Sequence, residues 1–246
     1  MLTRLYGGNI VRIAWLASFV HKWLALIIGV QIFIWIATGL FFTVVPIEQV
    51  RSEHRMREIA PAVLSAADVS AVPTSIAGGQ TPIRLTVENR PEGARIVADY
   101  ADGSAALFDA RTGAKLSPLD QESALAIARA RITTDAPVAS SELVTTASPE
   151  YRGALPAWRI AFDEPSRLAI YVGANTGQVT ARRSELWRVY DFLWALHIMD
   201  YREHENFNHA PIIIVSILAF LSTIAGIALI PYRFRWRRKK QAAGPA

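Results

Sequence analysis

The sequence predicts an α+β protein: two small modules of helix plus antiparallel strands, carried in the loop between two transmembrane α-helices. Three observations predict it. Two long runs carry no charge, residues 23–45 and 211–231. The polar segment between them contains an internal repeat. Lys and Arg gather, without acids, at both ends of the chain.

The spans come first. Just over half of the 246 residues are apolar, 52%, and much of that fraction lies in the two runs. About 20 helical residues cross the roughly 30 Å of hydrocarbon, so both runs are long enough to span. Core helices of soluble proteins seldom run this far without a charge. The first run is expected to be an uncleaved anchor. It is longer than the apolar part of a signal peptide, and the TVVPIEQV that ends it offers no small-x-small cleavage site.

Orientation follows from the flanking cations. Residues 1–22 hold Arg4, Arg12 and Lys22 and no acid; Arg233, Arg235, Arg237, Arg238, Lys239 and Lys240 follow the second run. Both termini are therefore expected in the cytoplasm of a bacterial inner membrane, with the central domain in the periplasm. The net charge of +5 is mostly this signal, so no nucleic-acid partner is expected. The chain has no cysteine. That excludes disulfides, cysteine-ligated iron–sulfur clusters and covalent c-type haem.

The repeat orders the loop. Thr112-Gly113 recurs 64 residues later as Thr176-Gly177, and at the same offset Asp99 meets Asp163 and Leu107 meets Tyr171. Each copy reads as two strands with a turn between and an x-Thr-Gly turn after. In the second copy Asp120 caps a helix whose apolar face includes Leu125, Ile127, Ala128 and Ile132. Residues 157–162 and 168–172 then form a hairpin. The first copy's helix, 66–76, is short and broken by Pro73. Neither copy holds a histidine, a nucleophile–base pair or a phosphate loop, so no catalytic constellation is expected there.

These readings divide the chain into a cytoplasmic N-terminal segment (1–22), transmembrane helix 1 (23–45), a first module (46–116) and a second module (117–184). An interfacial helix with a His-rich junction (185–210), transmembrane helix 2 (211–231) and a basic cytoplasmic tail (232–246) complete it. In the second span, Ser216, Ala219, Ser222, Ala225 and Gly226 are expected to share a small-residue contact face.

Residues 187–209, WRVYDFLWALHIMDYREHENFNH, hold three of the five histidines. Histidines beside a bilayer suit ligation of haem b, which needs imidazoles approaching from opposite faces. His197 and His209 rank first, then His54, with His204 last in its polar loop. Asp200 and Asp191 are candidates to orient the His197 ring. His21 lies two residues before the first run on the opposite side, so its partner would come from another subunit. Two other readings stay open: a hydrogen-bonded aromatic collar at the membrane surface, and a divalent-metal site near Glu203 and Glu205.

The chain resembles the PepSY-domain membrane proteins, including the PepSY-associated transmembrane-helix group. The resemblance is carried by His21-Lys22-Trp23-Leu24 with Gly29 and Thr38-Gly39, and by the units ending at 109–113 and 173–177. Leu196-His197-Ile198-Met199-Asp200-Tyr201 with Asn206-Phe207-Asn208-His209 adds to it, as does the paired topology. It implies tandem PepSY-like modules. Larger members have more spans; some carry b-type haem and pass electrons to ferric siderophores, and others pair with flavin reductase domains. With two spans and no flavin module, this chain is expected to support transmembrane electron transfer inside a larger redox complex, linked to reduction of a periplasmic ferric chelate. The alternative is a non-enzymatic accessory subunit whose modules dock on a respiratory or transport complex. Regulation of a protease, by analogy with PepSY domains attached to peptidases, has no support in the residues.

Overall fold

The computed structural model describes residues 2–59, 63–65 and 80–233. The weak helix expected over 66–76, and the tail beyond Arg233, lie outside these residues. The chain divides into two compact units, Met1–Phe41 with Leu193–Ala246, and Phe42–Phe192.

The first unit is helical. Helix α1 (Leu2–Val44) runs 43 residues, so the segment expected as a cytoplasmic lead-in is helical from its start. Nothing between residues 2 and 44 breaks a helix: there is no proline, and Gly7, Gly8, Gly29 and Gly39 cost only about 1 kcal/mol each. The stretch apolar enough to cross a membrane is Trp15–Val44, longer than expected. Lys22 is the only Lys or Arg inside it. Its ammonium lies 5.8 Å from the centre of the Trp23 ring, and its long stem lets such a charge reach for the surface. Pro46 caps the next short helix, α2 (Ile47–Val50), with an extended backbone.

One face of α1 is sheltered and the other is bare. Ile28 and Thr38 are buried, whereas Leu26, Ile27, Val30, Phe33, Ile36 and Leu40 are exposed. The bare face is the one that meets lipid. The last helix, which carries span two from Ala210 to Pro231, buries Ser222 and Ala225. Ser216 is exposed instead of sharing their face. Six residues at 100° each put Ser216 about 120° around the helix from Ser222.

Among its described residues the second unit holds seven strands, helix α3 (Gln121–Arg131) and the first half of α4 (Glu185–Ile198). Strands β1 (Arg84–Arg90), β2 (Gly93–Asp99) and β3 (Ala105–Asp109) form one antiparallel sheet in that order. Helix α3 (Gln121–Arg131) follows, with the Asp120 carboxylate accepting the Ser123 amide as its N-cap. Strands β4 (Val138–Val144), β5 (Ala157–Phe162), β6 (Ala169–Gly173) and β7 (Val179–Arg183) make the second antiparallel sheet. Helix α4 (Glu185–Ile198) comes next, at the place expected for the interfacial helix, and α5 (Ala210–Arg233) closes the described chain.

The 64-residue offset survives in three dimensions. Shifted by it, β3 lands on β6 end to end, and β2 lands on β5 to within one residue. Gly113 and Gly177 both take left-handed backbone, φ 71° and 64°, as the turn after each hairpin requires. Their amides bond the carbonyls of Asp109 and Gly173 at 2.9 and 2.8 Å. Where the first copy has Asp109 the second has Gly173. A Cβ on Gly173 would come within 2.8 Å of Thr176 Oγ1.

The two sheets share one core. Val97 and Leu107 of the first pack with Ile160, Phe162, Ile170 and Val172 of the second and with Ala124, Ile127 and Ala128 of α3. The buried Arg90 guanidinium donates from β1 to the Thr176 carbonyl at 2.7 Å, joining the copies by a polar contact as well.

Candidate functional site

The C-terminal end of α4 leaves carbonyls without helical partners, as every helix end does. Here three successive ones are taken by side chains. Leu196 accepts from the Gln31 amide at 3.2 Å, His197 from the Trp35 indole at 2.7 Å, and Ile198 from His209 Nε2 at 3.1 Å. Gln31, Trp35 and Thr38 follow at steps of four and three, so they form one stripe on α1. In apolar surroundings an unpaired carbonyl is costly, and the stripe removes that cost.

Thr38 closes the arrangement. Its hydroxyl lies 2.7 Å from the Ile34 carbonyl and 2.7 Å from His197 Nδ1. A hydroxyl has one proton, and the carbonyl can only accept. Thr38 therefore donates to Ile34 and accepts from His197 Nδ1–H. This assigns the Nε2 lone-pair tautomer to His197. The ring lies nearly parallel to Trp194, with centres 6.2 Å apart. Burial pushes the His197 pKa below its ordinary value, favouring the neutral ring.

Asp200 does not play the expected part. Its carboxylate accepts the backbone amides of Arg202, Glu203, Glu205 and Asn206, and these hold its pKa well below the usual carboxylate range. The Nδ1 partner of His197 is Thr38 instead. Short turns put those amides within six residues of Asp200, so local bonds occupy the carboxylate. The loop is pinned again where Trp194 Nε1 donates to the His204 carbonyl at 3.1 Å.

His21 lies inside the candidate span, not at its edge. Its Nδ1 is 2.8 Å from the Ser222 carbonyl and 3.2 Å from Ser222 Oγ. The carbonyl accepts, so Nδ1 carries the proton and Nε2 the lone pair. The ring packs on Gly226, where a Cβ would fall 3.0 Å from His21 Cε1. The close approach of α1 and α5 thus rests on a residue without a side chain.

His21 and Thr38 are 17 residues apart on one helix, about 25 Å along its axis. His21 and His197 are therefore two separate positions, as expected. The His197 ring pairs with Thr38 of α1, and the His209 ring is brought to the Ile198 carbonyl, one residue beyond His197 in α4. His54 belongs to the other unit, on a short 3-10 turn, Glu53–Arg55. Among the described residues, no three His, Asp or Glu side chains gather as a metal site, so the divalent-metal reading finds no donor set there.

The donor chemistry of His21 and His197 fits a haem. Axial histidines bind through one ring nitrogen while the other donates to a carbonyl or hydroxyl, and both rings are held in that tautomer. His209 meets the same condition through the other nitrogen: it donates Nε2–H to the Ile198 carbonyl, capping α4, and its lone pair is on Nδ1.

The sequence profile described as the PepSY-associated TM region matches residues 19–244. The chain belongs to this family. Neither a search of curated proteins nor one of solved structures finds a match. The match covers all of span two, all but the first four residues of span one, and everything between them, so this PepSY-associated protein is a membrane protein. Gln31, Trp35 and Ser222 join the site only through the fold. Their signal in the sequence is faint: isolated polar residues at helical spacing within otherwise apolar runs.

Proposed function

We propose that this chain is an inner-membrane subunit for transmembrane electron transfer, holding haem b through His197 near the outer surface and His21 deeper in the bilayer. The observation that supports it is the shared state of the two rings. Each donates Nδ1–H to a fixed oxygen, which leaves Nε2 as the ligating atom. Thr38 and the Ser222 carbonyl orient the rings, and Trp194 flanks His197. His209 acts as a positioning residue that fixes the end of α4. Bound haem would supply one-electron chemistry between two levels of the membrane. Opposing ligands come from another subunit, such as a partner in a larger redox complex or a flavin reductase. The polar unit lies in the periplasm, where a ferric chelate is the acceptor.

Absorption spectra of the purified full chain, oxidised and then dithionite-reduced, test this. Soret and α bands are expected, and His197→Ala and His21→Ala should each remove about half of the haem. No Soret band after reconstitution with haem overturns it. A stoichiometric membrane partner on a colourless chain would instead support the accessory-subunit reading.

A further inference from the structure

The polar unit contains a cavity of about 500 Å³ that no histidine of the membrane unit enters. Gln49, Ser52, His54 and Arg55 line it together with Ser184 and Glu185 at the start of α4. Two features of its wall set it apart from an ordinary surface groove. Ser52 is 2% exposed and its hydroxyl has no hydrogen-bond partner among the described residues. Its backbone is left-handed, φ 55°, a conformation that disfavours side chains other than Gly, Asn and Asp.

The opposite part of the lining is a helix N-terminus. In the first turn of α4, Glu185 N donates to the Ser166 carbonyl and Trp187 N to Ser184 Oγ. Leu186, which also lines the cavity, keeps an amide with no acceptor among the described residues. Such an end attracts anions. The one acid in the lining, Glu185, sits 3.8 and 3.7 Å from Arg167 and Arg188, which balance it. Arg55 adds a guanidinium, already bonded to Glu164 at 2.5 Å, and His54 adds a ring with no partner among the described residues.

The lining therefore combines a buried hydroxyl, a free amide, an imidazole and a guanidinium: donors for a tetrahedral oxyanion. Gln49 is only five residues beyond Val44, the end of the candidate span. We infer that the cavity binds a phosphate group, presented by an anionic lipid headgroup or as free phosphate. The inference is independent of haem binding.

The full chain is placed in phosphatidylcholine nanodiscs and titrated calorimetrically with inorganic phosphate. In parallel, protein from mixed phosphatidylglycerol and phosphatidylcholine discs is analysed by native mass spectrometry for retained lipid. Saturable phosphate binding assigns the free ion, and selective retention of phosphatidylglycerol assigns the headgroup; either supports the site. His54→Gln and Ser52→Gly should each weaken that binding about tenfold, the size of one lost charge-assisted hydrogen bond. Ser52→Gly relieves the left-handed backbone, so it should unfold no earlier than the parent. Binding unchanged in both variants, or no saturable binding of either probe, overturns the inference.

Discussion

Thr38 Oγ1 and His197 Nδ1 are 2.7 Å apart although 159 residues separate them in the chain. This one contact ties span one, six residues before its end at Val44, to the end of α4 and sets the tautomer of the ring. The hydroxyl also returns its proton to its own helix at Ile34, which fixes its direction. A methyl in its place would keep the shape and lose the acceptor.

Thr38→Val is therefore expected to cost about 1–3 kcal/mol, because it strands the His197 Nδ1–H in a sheltered site. Thr38→Ser, which keeps the hydroxyl, should cost much less. Thermal unfolding of the purified protein in detergent measures both. Equal stability of the Val and Ser variants would remove the hydrogen bond from the account.

The same ring predicts a pH dependence. Burial lowers the folded pKa of His197 below 6.5. Above 6.5 the ring is neutral in both folded and unfolded chains, and its contribution does not change with pH. As pH falls below 6.5 the unfolded chain takes up the proton first, so stability declines. The decline stops once the folded ring also protonates. Unfolding midpoints between pH 8 and 5 should fall on the acid side, and His197→Gln should flatten that part of the profile.

The sequence makes some of this architecture legible and hides the rest for physical reasons. Both spans are visible because charge-free length is a local property. The hairpins are visible because Thr112-Gly113 and Thr176-Gly177 mark turns that only a left-handed residue completes. The α3 cap at Asp120 is equally local. The stripe of Gln31, Trp35 and Thr38 is not, since its partners lie more than 150 residues away. Asp200 misleads for the converse reason. An acid near His197 suggests a ring partner, yet four amides just downstream capture it.

Gly226 offers a test of how closely α1 and α5 approach. A Cβ there meets His21 at 3.0 Å, tight enough that the ring must yield slightly. Gly226→Ala also gains roughly 1 kcal/mol of helix propensity, so the two effects nearly cancel and little change in stability is expected. Gly226→Leu has no such balance and should cost about 1–3 kcal/mol by overpacking. Cross-linking of cysteines placed on the two helices would report the separation. A leucine variant that cross-links and unfolds like the parent would contradict the close packing.

The Asp200 loop predicts a change in order without a change in fold. Its carboxylate gathers four amides from residues 202–206, and Trp194 holds the same loop through His204. Asp200→Ala removes the common acceptor and returns those amides to water. The loop then opens, and it carries His209, whose Nε2 caps the Ile198 carbonyl. Limited proteolysis should cut Asp200→Ala at Arg202 faster than the parent, while the unfolding midpoint of the polar unit stays put. Because the folded pKa of Asp200 lies far below 3.8, the parent loop should resist cutting across the whole range above pH 4, weakening only as the carboxylate protonates in stronger acid. An acid-stable protease active at both pH 4 and pH 7 separates the cases. Equal cutting of parent and variant would mean the loop owes its order to Trp194 and not to the carboxylate.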